Sequence, residues 1–374
     1  MKSSFLLFTV VLVLALATGA CSPAAPPPTP TTVPKPPAVP TPPAAAKPAD
    51  AAPKPAATAP KPPAATPTPA AAALKPATLR FGQIIIAAEV WPLYVAEKKG
   101  FFDEQKITLE RTMTETASRA VQALIGGSVD MINSNPDVVV TAVTQGADLT
   151  MVAGMQNRTI YSFIVPPSIN TYADLKGKIM GVSGLKDSST LLLKRLLAKN
   201  GLKEGDYDLV QVGGTNNRYA ALKNGSVQGA VLIQPTDFRI IAEGFKLMGL
   251  STEATKEFPW ASLVVKASWA KANEDVVVRT VRSVAKATLW MYDPKNKAEA
   301  IKILADYTKA EEGPARQTYE LYIEKEQALG RNAQINMEGL QNAIKVMIEA
   351  GNLQPPEPDA KKFVDLSYWE KATK

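Results

Sequence analysis

From Leu79 onward the apolar positions fall into short runs rich in β-branched residues, separated by amphipathic stretches and bounded by Gly, Pro or Asn. Segments of period two alternating with segments of period 3.6 predict an α/β fold. Strands are expected over residues 79–86, 107–111, 130–132, 150–153, 160–165, 179–182, 209–212, 229–233 and 263–266. Helices are expected over 92–99, stopped by Gly100, over 116–125, stopped by Gly126 and Gly127, and over 189–199, stopped by Asn200 and Gly201. After Asp275 the pattern is mostly helical.

The segment Ala123-Leu124-Ile125-Gly126-Gly127-Ser128-Val129 recurs as Ala221-Leu222-Lys223-Asn224-Gly225-Ser226-Val227, and Pro136 and Pro235 follow at closely matching offsets. Each copy reads as a helix, a glycine stop, a strand and a loop, which suggests two lobes of like construction. The run 160–165, ending at Pro166-Pro167, is expected to leave lobe one, and Pro259-Trp260-Ala261 to return to it. Two such crossings make a hinge. The expected division is 78–164 with 259–374, including the C-terminal helices, as lobe one, and 165–258 as lobe two.

Before residue 78 the chain follows a different grammar. An uncharged apolar run over 5–20 follows Lys2 and ends in small residues before Cys21. As a helix it would rise about 24 Å, short of the roughly 30 Å hydrocarbon core, so residues 1–20 read as a signal peptide. The sequence Ala17-Thr18-Gly19-Ala20-Cys21 resembles a bacterial lipobox, which implies lipidation of Cys21. Residues 22–76 hold 20 of the 31 prolines and no glycine or aromatic residue. Such a stretch has no apolar surface to offset ordering entropy. It reads as an extended tether, on the order of 170 Å if fully drawn out, or alternatively as a ligand for proline-recognising modules.

Composition narrows the chemistry. The chain of 374 residues has no histidine and one cysteine, which removes imidazole catalysis, histidine-ligated metals and intramolecular disulfides. Of the net charge of +7, Lys2 and the linker account for +5, leaving +2 for residues 77–374. The basic excess is therefore not a patch on a fold, and nucleic-acid binding loses its support. No P-loop, Gly-x-Ser-x-Gly or metal-ligand cluster is present, so no catalytic residue, metal or cofactor is expected.

Three segments in order carry a resemblance: Trp91-Pro92-Leu93-Tyr94-Val95-Ala96-Glu97-Lys98-Lys99-Gly100-Phe101-Phe102, then the helix ending at Gly127 with Val129-Asp130, then Ala173-Asp174-Leu175-Lys176-Gly177-Lys178 leading into a strand. They resemble the substrate-binding proteins of ABC importers of the nitrate, sulfonate, taurine and thiamin-pyrimidine type, over roughly residues 78–340. The resemblance implies a two-lobed periplasmic-binding-protein fold, type II-like, hinged by two crossover strands. It also implies a lipid-anchored monomer in the cell envelope that delivers a small molecule to a permease and its ATPase. Gln228-Gly229 stands where many relatives have Asp-Ala.

Ligands of open α/β sheets bind beyond the carboxyl ends of strands, and hinged lobes bury them on closure. That rule selects Trp91 and Tyr94 after the first strand, as stacking surfaces or as core. It selects Asn133 and Asn135 as ligand contacts or turn and cap residues. Ser188, Ser189 and Thr190 open a helix whose free N–H groups suit an anion. Asn157, Asn216, Gln234 and Trp260 complete the expected set, with Arg158 or Arg218 as an anion partner. The hydroxyls argue for a sulfonate or carboxylate, and the aromatic residues for a heterocycle such as a pyrimidine or flavin precursor. Two alternatives to transport are a sensing ectodomain, which the sequence leaves open, and an enzyme like the fungal thiamin-pyrimidine synthases, which its chemistry excludes. The latter consume a histidine of their own chain, which this chain lacks.

Overall fold

In the computed structural model residues 74–185 and 187–374 are described; the expected signal peptide, the lipidation at Cys21, the linker through residue 73 and Lys186 lie outside the described residues. Among the described residues ten strands are formed: β1 (Ala77–Gln83), β2 (Ile107–Met113), β3 (Met131–Ser134), β4 (Leu149–Gln156), β5 (Ser162–Val165), β6 (Ile179–Val182), β7 (Asp208–Gln211), β8 (Gly229–Leu232), β9 (Lys246–Leu250) and β10 (Ala261–Lys266). They make two five-stranded sheets, ordered β2-β1-β3-β10-β4 and β7-β6-β8-β5-β9. In each sheet four strands run in one direction, and one inserted strand is antiparallel to both of its neighbours: β10 in the first, β5 in the second. The two sheets thus repeat one plan, and the first takes its inserted strand, β10, from beyond the second crossing in sequence.

The internal repeat marks equivalent corners of the two sheets. Gly127 and Gly225 end the helices Ala117–Ile125 and Thr215–Lys223 with φ of 74° and 76°, the left-handed conformation that closes a helix without Cβ strain. Val129 and Val227 are then buried beneath Gly82 and Gly181 of the neighbouring strands. Asp130 accepts from the Arg80 backbone N–H at 3.1 Å, and Gln228 accepts from Ile179 N at 3.2 Å. The replacement of Asp by Gln keeps the acceptor that holds the strand edge.

β5 corrects the expected lobe boundary. Ser162, Phe163 and Ile164 pair with β8 and β9 in the second sheet, so the chain has already crossed by residue 162. The crossing segments pair with each other instead: Trp260 N donates to Gln156 O at 2.8 Å, and Thr159 N to Phe258 O at 2.8 Å. Of the helices toward the C-terminus, Met337–Glu349 is not confined to lobe one. Leu340, Ile344 and Met347 enter the core around β3 and β4, while Ala343 and Val346 enter the core of the second lobe.

The elements not expected from the pattern include two helices and one strand that shape the two sheets. Pro136–Thr144 is rich in β-branched residues, but Pro136 at its first turn and the need for a crossover between β3 and β4 make it helical. Thr236–Ala242 follows Pro235 in the same way. β9 is a five-residue strand carrying Gly249, too short and too weakly alternating to stand out.

Candidate functional site

Between the lobes lies a cavity of about 600 Å³. The starts of four helices open on it, through Thr116 to Ser118, Asn135 to Val138, Asp187 to Ser189 and Gly213 to Thr215. This follows from the topology, because each of these helices leaves the carboxyl end of a parallel strand. Ile84, Ile85, Tyr161, Ile233, Phe258 and Trp260 give the cavity apolar and aromatic walls. A hydrogen bond crosses it: the Ser188 hydroxyl of lobe two donates to Asp137 Oδ2 of lobe one.

Four of the expected residues line this cavity: Asn135, Ser188, Ser189 and Trp260. Asn135 Nδ2 donates to Trp260 O at 2.8 Å, which ties a strand-end loop to the returning crossover. Ser189 and Ser183 share a hydrogen bond of 2.7 Å between their hydroxyls, and Ser183 also donates to Asp187. Trp260 meets the Tyr161 ring edge-on, with centroids 4.8 Å apart, so an aromatic residue from each crossover faces the cavity.

Apart from the two candidate arginines, the other expected residues lie elsewhere. Trp91 is fully buried in the lobe-one core, donating to Ala300 O at 3.2 Å and packing edge-on against Tyr319. Tyr94 stacks on Tyr307 at 4.2 Å and receives Gln83 Nε2 at 3.1 Å. Their helical spacing places both on the inward face. Asn133 is fully buried behind the wall, where it accepts from Ile84 N and donates to Glu89. Thr190 bonds back to Gly184 O at 2.7 Å within its own turn. Asn157 holds Gln334 O at 2.8 Å and receives Asn336 N, so it fastens the C-terminal segment. Asn216 is exposed and outside the lining.

Gln234 is fully buried at the base of the hinge. Its amide donates to Ser162 Oγ at 3.0 Å and Asp237 Oδ2 at 2.7 Å, and it accepts from Tyr322 OH at 3.0 Å. Tyr322 OH also receives Gln156 Nε2 at 3.3 Å, so a buried chain of hydrogen bonds joins β4 to β5 and β8's end.

Of the two candidate arginines, Arg158 is spent on Glu257 Oε1 at 2.9 Å and Glu326 O at 2.8 Å. Arg218 lines the cavity, is 3% exposed, and has no carboxylate within 4.0 Å among the described residues. It donates to Val231 O at 2.7 Å, Gly213 O at 2.6 Å and Thr215 Oγ1 at 3.2 Å. A guanidinium has five N–H groups, so about two remain for a ligand. Burial lowers its pKa, opposed by the nearby Tyr161 and Asp187, yet an arginine stays charged.

Sequence reasoning passed over Glu89 and Asp137. Glu89 is 3% exposed, accepts from Trp260 Nε1 and from Asn133 Nδ2 at 3.2 Å, and lines the cavity. Burial pushes its carboxyl up to about 7 against those two hydrogen bonds. Asp137 is raised as well, by burial, against the Ser188 hydroxyl and the Val138 backbone N–H. Its Oδ1 is enclosed and makes no hydrogen bond of normal geometry. The signal for both was positional, since each sits in a loop or helix start just after a parallel strand.

Comparison with known proteins agrees with this architecture. The family model described as NMT1/THI5 like matches residues 87–298. A putative binding protein, YtlA, of Bacillus subtilis (strain 168) is 26% identical over 221 residues, covering 56% of this chain and 66% of that protein. The chain spans less than two thirds of the length of the curated relatives it matches. Among solved structures, the nitrate-binding protein NrtA of Synechocystis PCC 6803 is similar at a TM-score of 0.68 and 15% identity, covering 80% of this chain and 88% of that one. The alkanesulfonate-binding protein SsuA of Xanthomonas axonopodis pv. citri, solved with MOPS, is similar at 0.63 and 21%, covering 79% and 100%. These likenesses are of fold; the family match spans more than half of the sequence, and the chain belongs to the NMT1/THI5-like family.

Proposed function

We propose that the protein is a non-catalytic solute-binding component of an ABC import system. It encloses one small organic molecule between its lobes and presents the closed form to a membrane permease. The observation that carries this reading is Arg218, a buried cation in the wall of an interlobe cavity with no carboxylate partner among the described residues. A charge so placed is costly unless an anion completes it. The ligand is therefore an organic anion, carboxylate or sulfonate, received by Arg218 and the hydroxyls of Ser183, Ser189 and Thr215. Its body is apolar or aromatic and lies against Tyr161, Phe258 and Trp260. Lipidation at Cys21 with the proline-rich tether would hold the lobes near the permease while leaving them free to turn. The fold's two sheets and paired crossovers support closure as the signal that the permease reads.

Native mass spectrometry of the purified protein tests this reading. One intact molecule per chain, recovered unchanged after denaturation, is expected. Recovery of a chemically converted molecule would replace a binding protein by an enzyme.

A further inference from the structure

An anion receiver explains one wall of the cavity only. Among the described lining residues Arg218 is the one cation, whereas Glu89, Glu115, Asp137 and Asp187 all carry carboxyl groups. Glu115 pairs with Arg119 at the rim, and Asp187 receives the Ser183 hydroxyl. Among the described residues Glu89 has no cationic partner, and Asp137 is met on one oxygen only, by the Ser188 hydroxyl. Glu89 is enclosed with an indole and an amide as its hydrogen-bond donors, and Asp137 Oδ1 is enclosed with no hydrogen-bond donor among the described residues. The groups facing Glu89 are Trp260, Asn133 and the hydroxyls of Tyr94, Tyr161 and Tyr322; those facing Asp137 are Ser188, Asp187 and Tyr161. None of them is a cation. Buried carboxyl groups without a donor or cation are unfavourable unless they are protonated or a ligand supplies the missing partner.

We propose that the ligand is a zwitterion or aminated anion: its protonated nitrogen docks on the side of Glu89 and Asp137 while its anionic group meets Arg218. This rests on the reading of the cavity as a ligand site and narrows it from organic anions to those that also carry a cationic or strongly donating nitrogen. A simple inorganic anion leaves Asp137 Oδ1 unmet and adds negative charge beside two carboxyl groups. A further consequence is proton linkage. Burial raises the Glu89 carboxyl to about 7 and that of Asp137 above its ordinary value, and a bound ammonium favours the ionised form of both. Binding therefore releases protons, and affinity for an aminated ligand rises with pH up to about 7.

Three matched probes separate the two ends of the site: 4-(aminomethyl)benzoate, 4-methylbenzoate and 4-methylbenzylamine, each added to the full chain at millimolar concentration in thermal-shift measurements. The zwitterion is expected to raise Tm by about 3 °C more than 4-methylbenzoate at about pH 8, with a smaller advantage at about pH 5.5. Glu89→Gln and Asp137→Asn are expected to reduce that advantage, in part by enlarging the shift by 4-methylbenzoate, whose carboxylate then meets one carboxyl group fewer. Equal shifts from the zwitterion and 4-methylbenzoate in the unsubstituted protein would overturn the proposal and leave the anion-binding reading standing. An advantage that persists in both variants would also overturn it. No shift from any of the three would remove both readings. Where a variant loses its cooperative transition, the pH dependence in the unsubstituted protein decides: an advantage that is flat or falls with pH contradicts the proposal.

Discussion

Arg218 and Glu89 are equally enclosed, yet their environments differ in kind. Arg218 is braced by two backbone carbonyls and a hydroxyl, so its charge is held in place and only its outer face is unmet. Glu89 receives two neutral donors, which is less than an ionised carboxylate needs when water is excluded. Asp237, behind the hinge, is in a similar position: burial raises it to about 6 against the donors Ser162, Gln234 and the Phe238 backbone. Because both groups hold their protons more tightly when folded, they favour the folded state fully below the carboxylate pKa of the unfolded chain. That contribution is lost as pH rises through about 6 for Asp237 and about 7 for Glu89. The ligand-free protein is thus expected to lose part of its Tm between about pH 4.5 and 7.5, and Glu89→Gln to flatten the upper part of that fall. A thermal melt series across this range checks it; an unchanged slope in the variant would show that Glu89 is already ionised in the fold. Residue types named this chemistry only in part. The hydroxyl-rich turn at Ser188 and Ser189 was legible as a cleft wall, but Asn133 and Thr190 share its composition and are spent on internal bonds.

At the level of elements the repeated corner is what positions the cavity. Each copy ends a helix in a left-handed glycine, buries a valine, and delivers a strand whose carboxyl end opens on the cleft. The repeat was readable because its glycines and valines are required by backbone geometry and packing, which act locally. β8 departs from the pattern at Gly229, where a Cβ would lie 2.5 Å from Met180 Sδ and 2.8 Å from the buried Phe163 ring. The large side chains on the neighbouring strands occupy the volume an alanine would need. Gly229→Ala is expected to destabilise the protein by about 1–3 kcal/mol, seen as a lower denaturation midpoint. A neutral outcome would mean that Met180 and Phe163 can give way. Which strand joins which sheet was far less legible. β5 reads as an apolar run ending at a proline pair, and its pairing with β8 and β9 is fixed by long-range geometry. The same holds for the helix Pro136–Thr144, whose β-branched composition yields to the crossover it must make.

For the whole molecule, the connections between the lobes define how they can move. Two mutually hydrogen-bonded crossovers form the hinge, the buried chain from Gln156 through Tyr322 to Gln234 and Asp237 lies at its back, and the helix Met337–Glu349 packs into both cores. The cavity lies among these connections, and Ser188 reaches across it to Asp137. The two-lobed α/β design was visible in the alternation of periods and in the repeat. The shared C-terminal helix was not, because its apolar face carries no mark of which lobe each residue meets. The central claim is that this cavity receives an organic anion at Arg218. Its most direct test is a thermal-shift panel of aryl and alkyl carboxylates and sulfonates on the unsubstituted protein and on Arg218→Gln, both at about pH 7.5. The account predicts that at least one of these anions raises Tm in the unsubstituted protein at concentrations where Arg218→Gln shows no shift, a loss of affinity of tenfold or more (about 1.4 kcal/mol). Equal shifts in the two proteins, or none from any anion, would contradict it.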